Sequence, residues 1–176
     1  MINTIKIKDD FKINNENHTL CSQCGGKCCK SAGCHYSPRD FSEITIAILK
    51  KILDMGFVSI DWWEGDVFGN NRSRTYYLRI RHKGKGIIDP SWGGECMLLT
   101  ETGCKLSFDE RPMGGRVLEP KGSIDKCTSK YTKEDCCKEW YSYQDLFDEI
   151  IDMYYWYRRW TQLKTRSVYY KFWKTS

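Results

Sequence analysis

A chain of 176 residues, 40% hydrophobic and 14% aromatic, is long enough to bury a core and too apolar to stay disordered. Its net charge of +5 permits contact with nucleic acid without demanding it. No stretch approaches the roughly 20 apolar residues that a membrane-spanning helix needs, so no membrane role is expected.

The opening segment, MINTIKIKDDFKI, has no apolar run of the kind a secretory signal carries. The expected location is therefore cytoplasmic, in a reducing compartment. There, ten cysteines more often bind metal or take part in redox chemistry than form structural disulfides.

In TIKIKDDFKI, Ile5 and Ile7 alternate with lysines, which predicts a short edge strand. Residues 21–36 are rich in cysteine and glycine and read as a metal-shaped loop. A helix is predicted from SPRDF, with Ser37 as its cap, Pro38 at its first position and Asp40 three residues after the cap. Phe41, Ile44, Ile48 and Ile52 recur at helical spacing, and Gly56 ends the run. DWWEGDVFGNN reads as a loop with aromatic anchors.

TYYLRIRHKGKGI predicts a strand with Tyr77, Arg79 and Arg81 on one face and Tyr76, Leu78 and Ile80 on the other. Lys83–Gly86 is its turn. From Pro90 to Gly122 the chain is expected to be mostly irregular. A second, longer helix opens at Thr132 with Asp135 completing the cap. Cys136, Trp140, Tyr143, Phe147, Ile150, Tyr154 and Tyr157 form its apolar face. The tail, TRSVYYKFW, reads as a last strand or a docking segment. With no repeat or linker in view, residues 1–176 are expected to form a single domain.

The cysteines carry the most specific signal. CSQC places two thiols two residues apart, a spacing that lets both sulfurs face one metal, and Gly25 and Gly26 loosen the loop beside them. The Cys28–Cys29 pair follows at once. Its neighbouring side chains diverge, so the two thiols serve different ions or only one ligates. Cys96 and Cys104 flank MLLTETG, a predicted hairpin that would bring both sulfurs to one side. Cys136 and Cys137 lie in the first turn of the second helix, where the helix terminus favours thiolate, although Cys136 also lies on the apolar face. Ten thiols suffice for four-sulfur zinc sites or for an iron–sulfur cluster, and sulfur ligation alone does not separate zinc from iron.

CSQCGGKCC, then CMLLTETGCKL, then ERP with an arginine four residues after the proline, resembles the YkgJ-type cysteine-cluster family, a zinc- or iron-chelating domain. The resemblance runs from about Cys21 to Cys127. It implies metal binding by Cys21, Cys24, Cys28, Cys29, Cys96 and Cys104, with Arg111, Pro112 and Arg116 matching the later motif. Where the family pattern has a cysteine before its second arginine, this chain has Gly115. Cys34, Cys127 or the Cys136–Cys137 pair are the candidates to replace that ligand. A similar cluster accompanies a flagellin lysine methylase, but no glycine-rich strand–turn–helix signature for S-adenosylmethionine is present here.

Other groups have plainer readings beside the functional ones. His35 follows Cys34 and is a further candidate ligand, though a loop histidine is more often a bystander. His82 is expected to be exposed, and His18 has no visible partner. Arg111 and Arg116 either bind an anion or, as preferred, pair with acids such as Glu110 or Glu119. Glu95, Glu101, Asp109 and Glu110 show no spacing that marks a general acid and base, and no catalytic residue is identified. Trp156, Arg158, Arg159, Trp160, Lys164 and Arg166 interleave aromatic and basic groups, as nucleic-acid binders do, but a helix end packed on a core is the preferred reading.

The expectation is a small single-domain α+β protein: two main helices and a few short strands around a cysteine-ligated metal centre, with many irregular loops. Zinc or iron, including an iron–sulfur cluster, is the expected cofactor. The primary ligands are Cys21, Cys24, Cys28, Cys29, Cys96, Cys104 and Cys127. Cys34, His35, Cys136 and Cys137 form a second tier. The metal is expected mainly to organise the fold, with a protein partner as the first kind of client. A metal-dependent or iron–sulfur enzyme or accessory protein is the alternative, and nucleic-acid binding through the C-terminal region the second alternative.

Overall fold

The computed structural model describes residues 23, 25–31, 33–90, 93–120, 127–129 and 131–156. The chain divides after Ser142 into two compact units. The predicted strand at Ile5 and Ile7, the C-terminal docking segment and the basic aromatic residues beyond Trp156 lie outside the described residues.

The first unit is built on an antiparallel hairpin, β1 (Val58–Glu64) and β2 (Arg74–Ile80), with Val58 opposite Ile80 and Glu64 opposite Arg74. Both strands are rich in β-branched and aromatic residues, and five residues of each are buried. DWWE therefore belongs to a strand rather than to a loop. The loop proper starts at Gly65, where Asp66 Oδ1 accepts the Phe68 N–H at 2.8 Å in an Asx turn.

Two irregular segments widen this hairpin. Residues 34–36 run beside β2: Tyr36 N–H donates to Leu78 O at 2.9 Å and Ile80 N–H to Cys34 O at 2.9 Å. On the other edge, Ile60 N–H donates to Ile87 O at 2.7 Å and Asp89 N–H to Ile60 O at 3.0 Å. Gly33 permits the first of these approaches. A Cβ there would lie 2.1 Å from Ile80 O, so no larger residue fits without moving the strand.

Before the hairpin come α1 (Lys27–Ser31), a 3₁₀ turn (Pro38–Asp40) and α2 (Ile46–Asp54). Ser37 caps as its sequence predicts, in a full capping box with Asp40. The helix it opens is only one turn long. Asp40 Oδ2 also accepts the Met113 N–H at 2.9 Å, and Phe41 turns extended to pack its ring against Tyr36 and Trp140. These distant contacts end the turn. The α-helix restarts at Ile46 under a second cap, Thr45, whose hydroxyl accepts the Ile48 N–H, and buries Leu49, Ile52 and Leu53. Gly56, at φ +87°, lies just past its end.

After β2, β3 (Leu99–Thr100) and β4 (Gly103–Cys104) form the hairpin expected between Cys96 and Cys104. A short helix, α3 (Met113–Arg116), leads into β5 (Leu118–Pro120), which pairs antiparallel with β6 (Cys127–Ser129). The long second helix breaks. α4 (Lys133–Glu139) carries the predicted Thr132–Asp135 capping box. A 3₁₀ turn at Tyr141–Tyr143 follows, where Tyr141 donates to Asp66 Oδ2 at 2.8 Å and stacks edge-on against Phe68. α4 packs on β1 and β2.

In the second unit the described part is a helix over 144–156, α5. Phe147, Ile150 and Ile151 are its buried stripe, while Tyr155 and Trp156 are exposed. Helices and short antiparallel strands together make this an α+β protein, as expected. Among the described residues no helix is long and apolar enough to cross a membrane.

Candidate functional site: a thiol face and an ionic cleft

Successive side chains of an extended segment point to opposite faces. In the 34–36 segment this places Cys34 and Tyr36 on one face and His35 on the other. His35 stands directly opposite Arg79, so their side chains share a face. Two different chemical environments therefore lie back to back.

On the first face, Cys29 and Cys96 are buried in a cluster with Ile80, Leu98 and Leu99, and Tyr36 packs against it. The Cys96 N–H donates to Cys29 O at 2.6 Å, which ties the two thiol-bearing segments together. Cys104 is paired with Leu99 across β3 and β4 and is partly exposed. Burial raises the Tyr36 hydroxyl pKa, and the acidic groups Asp40, Cys34, Cys96 and Cys104 push it further the same way.

Gly115 lies on this face. A Cβ placed there would sit 3.2 Å from Cys34 Sγ and 3.2 Å from Arg111 Cβ. Arg116 is buried and bonds to Asp40 at 2.7 Å and to Arg111 O at 2.7 Å. It pairs with an acid, as preferred on sequence grounds, but with Asp40, 76 residues earlier, instead of its neighbours Glu110 or Glu119. Burial raises the Asp40 pKa despite the hydrogen bonds from Met113 and Ser37 and the charge of Arg116. The Arg111 guanidinium lies over the Phe108 ring, 5.9 Å from its centroid.

Cys136 and Cys137 are elsewhere. Both are fully buried, donating to Tyr36 O at 3.3 Å and to Thr75 O at 3.7 Å. Burial pushes the Cys137 thiol up to about 12 and moves Cys136 in the same direction. At these positions desolvation outweighs the helix terminus, so both groups stay thiols. Cys21 and Cys24 lie outside the described residues, and Cys28 and Cys127 are described in their backbone alone. Among the described residues no three His, Cys, Asp or Glu side chains are grouped so as to hold a metal ion.

The opposite face is ionic. Asp61 Oδ2 accepts hydrogen bonds from the Tyr77 hydroxyl and from Arg79 Nε, each at 2.8 Å. Arg79 Nη2 donates to Asp89 Oδ2 at 2.6 Å, and Nη1 to Ile80 O at 3.0 Å. Asp61 and Arg79 are each only 2% exposed, so this pair is held by multiple hydrogen bonds in a desolvated setting. Lys133, at the start of α4, lies 3.9 Å from Asp61 Oδ1 and over the Tyr77 ring.

His35 meets Tyr77 edge-on, with centroids 5.2 Å apart. Burial pushes its pKa down to about 4; Asp61 opposes the shift, and Lys133 and Arg79 add to it. His82, expected to be exposed, is instead buried. Its Nε2 accepts the Gly33 N–H at 2.8 Å, which requires that nitrogen unprotonated, and burial lowers its pKa accordingly. These residues border a cleft of about 480 Å³.

Sequence reasoning missed this ionic face. The alternation in TYYLRIRH did place Tyr77 and Arg79 together. Asp61 and Asp89 carried no comparable signal, because one was read in a loop and the other fell between the predicted strand's turn and the irregular stretch from Pro90. No family model, curated protein or solved structure matches this chain.

Proposed function

We propose that this chain is a cysteine-ligated metal protein of the YkgJ type, holding zinc or iron, the latter including an iron–sulfur cluster. In this reading the metal mainly organises the fold, and binding and folding are one event. The carrying observation is that a Cβ at Gly115 would lie 3.2 Å from Cys34 Sγ. The glycine stands where the family pattern has a cysteine, and the neighbouring Cys34 thiol reaches the space that side chain would fill. Cys29, Cys96 and Cys104 approach from separate segments on the same face, and Cys21, Cys24, Cys28 and Cys127 complete the ligand set by their spacing. A thiolate-bound ion there would join residues far apart in sequence.

The test is purification without oxygen, followed by metal analysis and a visible spectrum. Near-stoichiometric zinc without colour supports a structural site. Near-stoichiometric iron with charge-transfer bands supports the cluster form and the alternative of an electron-moving accessory protein. Absence of both metals refutes the reading. Cys24→Ser and Cys34→Ser are each expected to lower metal content, whereas Cys136→Ala is not.

A further inference from the structure

The cleft on the ionic face has no part in the thiol site. At about 480 Å³ it falls in the range of small-molecule sites, roughly 300–1,000 Å³. What it offers a ligand follows from what its groups already do. Arg79 is consumed by Asp61 and Asp89. Lys133 lies 3.9 Å from the first of these carboxylates, at the rim, so the two cations offset Asp61 and Asp89 and leave Glu64, which stands opposite Arg74 across the hairpin, as the remaining charge. Glu64, also at the rim, accepts the Trp62 indole N–H at 2.7 Å. A free anion would meet a cleft without surplus positive charge. A free cation would find its place over Tyr77 already taken by Lys133.

The remaining capacity is flat and polar. Trp63 lies on the same strand face as Asp61, lines the cleft and is 36% exposed, so its indole has a ring face to offer. His35 borders the same space, and no hydrogen bond of its ring is seen among the described residues. Lys133 lies beyond hydrogen-bond length from Asp61, so its ammonium donors are available to a carbonyl oxygen.

We propose that this cleft binds an uncharged planar heteroaromatic molecule bearing a carbonyl group, of nucleoside size. It stacks on Trp63 and presents its polar edge to His35 and Lys133. Stacking on an aromatic side chain and two directed polar contacts are enough to orient such a ring.

The test is isothermal titration of the 176-residue protein, as purified, with inosine, uridine, benzoate and choline. Saturable binding of inosine or uridine, at least tenfold tighter than benzoate and choline, is expected. Trp63→Ala and Lys133→Met should each weaken it about tenfold or more, a loss on the scale of one stacking or polar contact. Trp63→Phe, which keeps a ring, should restore most of it. Circular dichroism and metal content should stay as in the parent for all three variants, which separates this proposal from the metal reading. The proposal is overturned if neither nucleoside saturates the protein, if benzoate or choline binds as tightly, or if the variants bind as the parent does.

Discussion

Gly115 and Cys34 are in contact through space that a side chain at residue 115 would have to share: a Cβ there would be 3.2 Å from the Cys34 sulfur. The absent side chain at one position and the thiol at the other are complementary. Three glycines of this unit can be ranked by what a methyl group would meet. At Gly115 it meets side-chain atoms that can yield; at Gly114 it meets the His35 backbone at 2.9 Å; at Gly33 it meets Ile80 O at 2.1 Å. Gly115→Ala is expected to cost about 1 kcal/mol, Gly114→Ala about 2–3 kcal/mol, and Gly33→Ala more than either, on the scale of overpacked cores. Urea unfolding of the three variants checks the order.

Arg79 holds two buried carboxylates, and its loss should be the most damaging single change on the ionic face. Arg79→Met leaves Asp61 and Asp89 buried without their cation and is expected to cost about 3–5 kcal/mol. Asp89→Asn keeps a hydrogen-bond acceptor and leaves the Asp61 contact in place, so its cost should be clearly smaller. Denaturation midpoints of the two variants measure the difference.

The half-buried His35 and the buried His82 make stability fall with acidity. His35 is pushed down to about 4 in the folded chain, against a usual value near 6.5 when unfolded. Between these values the unfolded chain binds the proton and the folded chain does not. Stability is therefore full above about pH 6.5 and is lost as pH falls toward 4, by up to about 3 kcal/mol for this group. His82, also shifted down, adds in the same direction. His35→Gln should flatten the slope of unfolding free energy against pH in this window without abolishing it.

Cys136 and Cys137 should behave as core groups. Both are fully buried thiols with raised pKa values, so neither should react with a thiol reagent until the protein unfolds. Cys136→Ala and Cys137→Ala are expected to lower stability by about 1–2 kcal/mol. Mass spectrometry after native alkylation, with unfolding curves, checks both points.

The local signals in the sequence were reliable where one side chain acts on a neighbouring backbone. Ser37 with Asp40, Thr132 with Asp135, and Gly56 after α2 all do what their residue types favour. The hairpin between Cys96 and Cys104, the strand at Tyr76–Ile80 and the α+β class were legible for the same reason. Helix lengths were not. The turn at Pro38 stops because Asp40 and Phe41 are drawn to partners at Met113, Arg116 and Trp140, and the helix from Thr132 breaks where Tyr141 is held by Asp66.

By itself, the amino-acid order determined caps, periodicity and the placing of thiols at metal-like intervals, since these depend on residues a few positions apart. Only the tertiary structure decided that Cys34 faces Gly115 while His35 faces Arg79, that Arg116 answers Asp40, and that Asp61 and Asp89 share one guanidinium. Each of those pairings depends on which strand edge meets which loop. Desolvation then sets the protonation of the groups it encloses, overriding at Cys136 and Cys137 the helix-terminus preference that the sequence suggested.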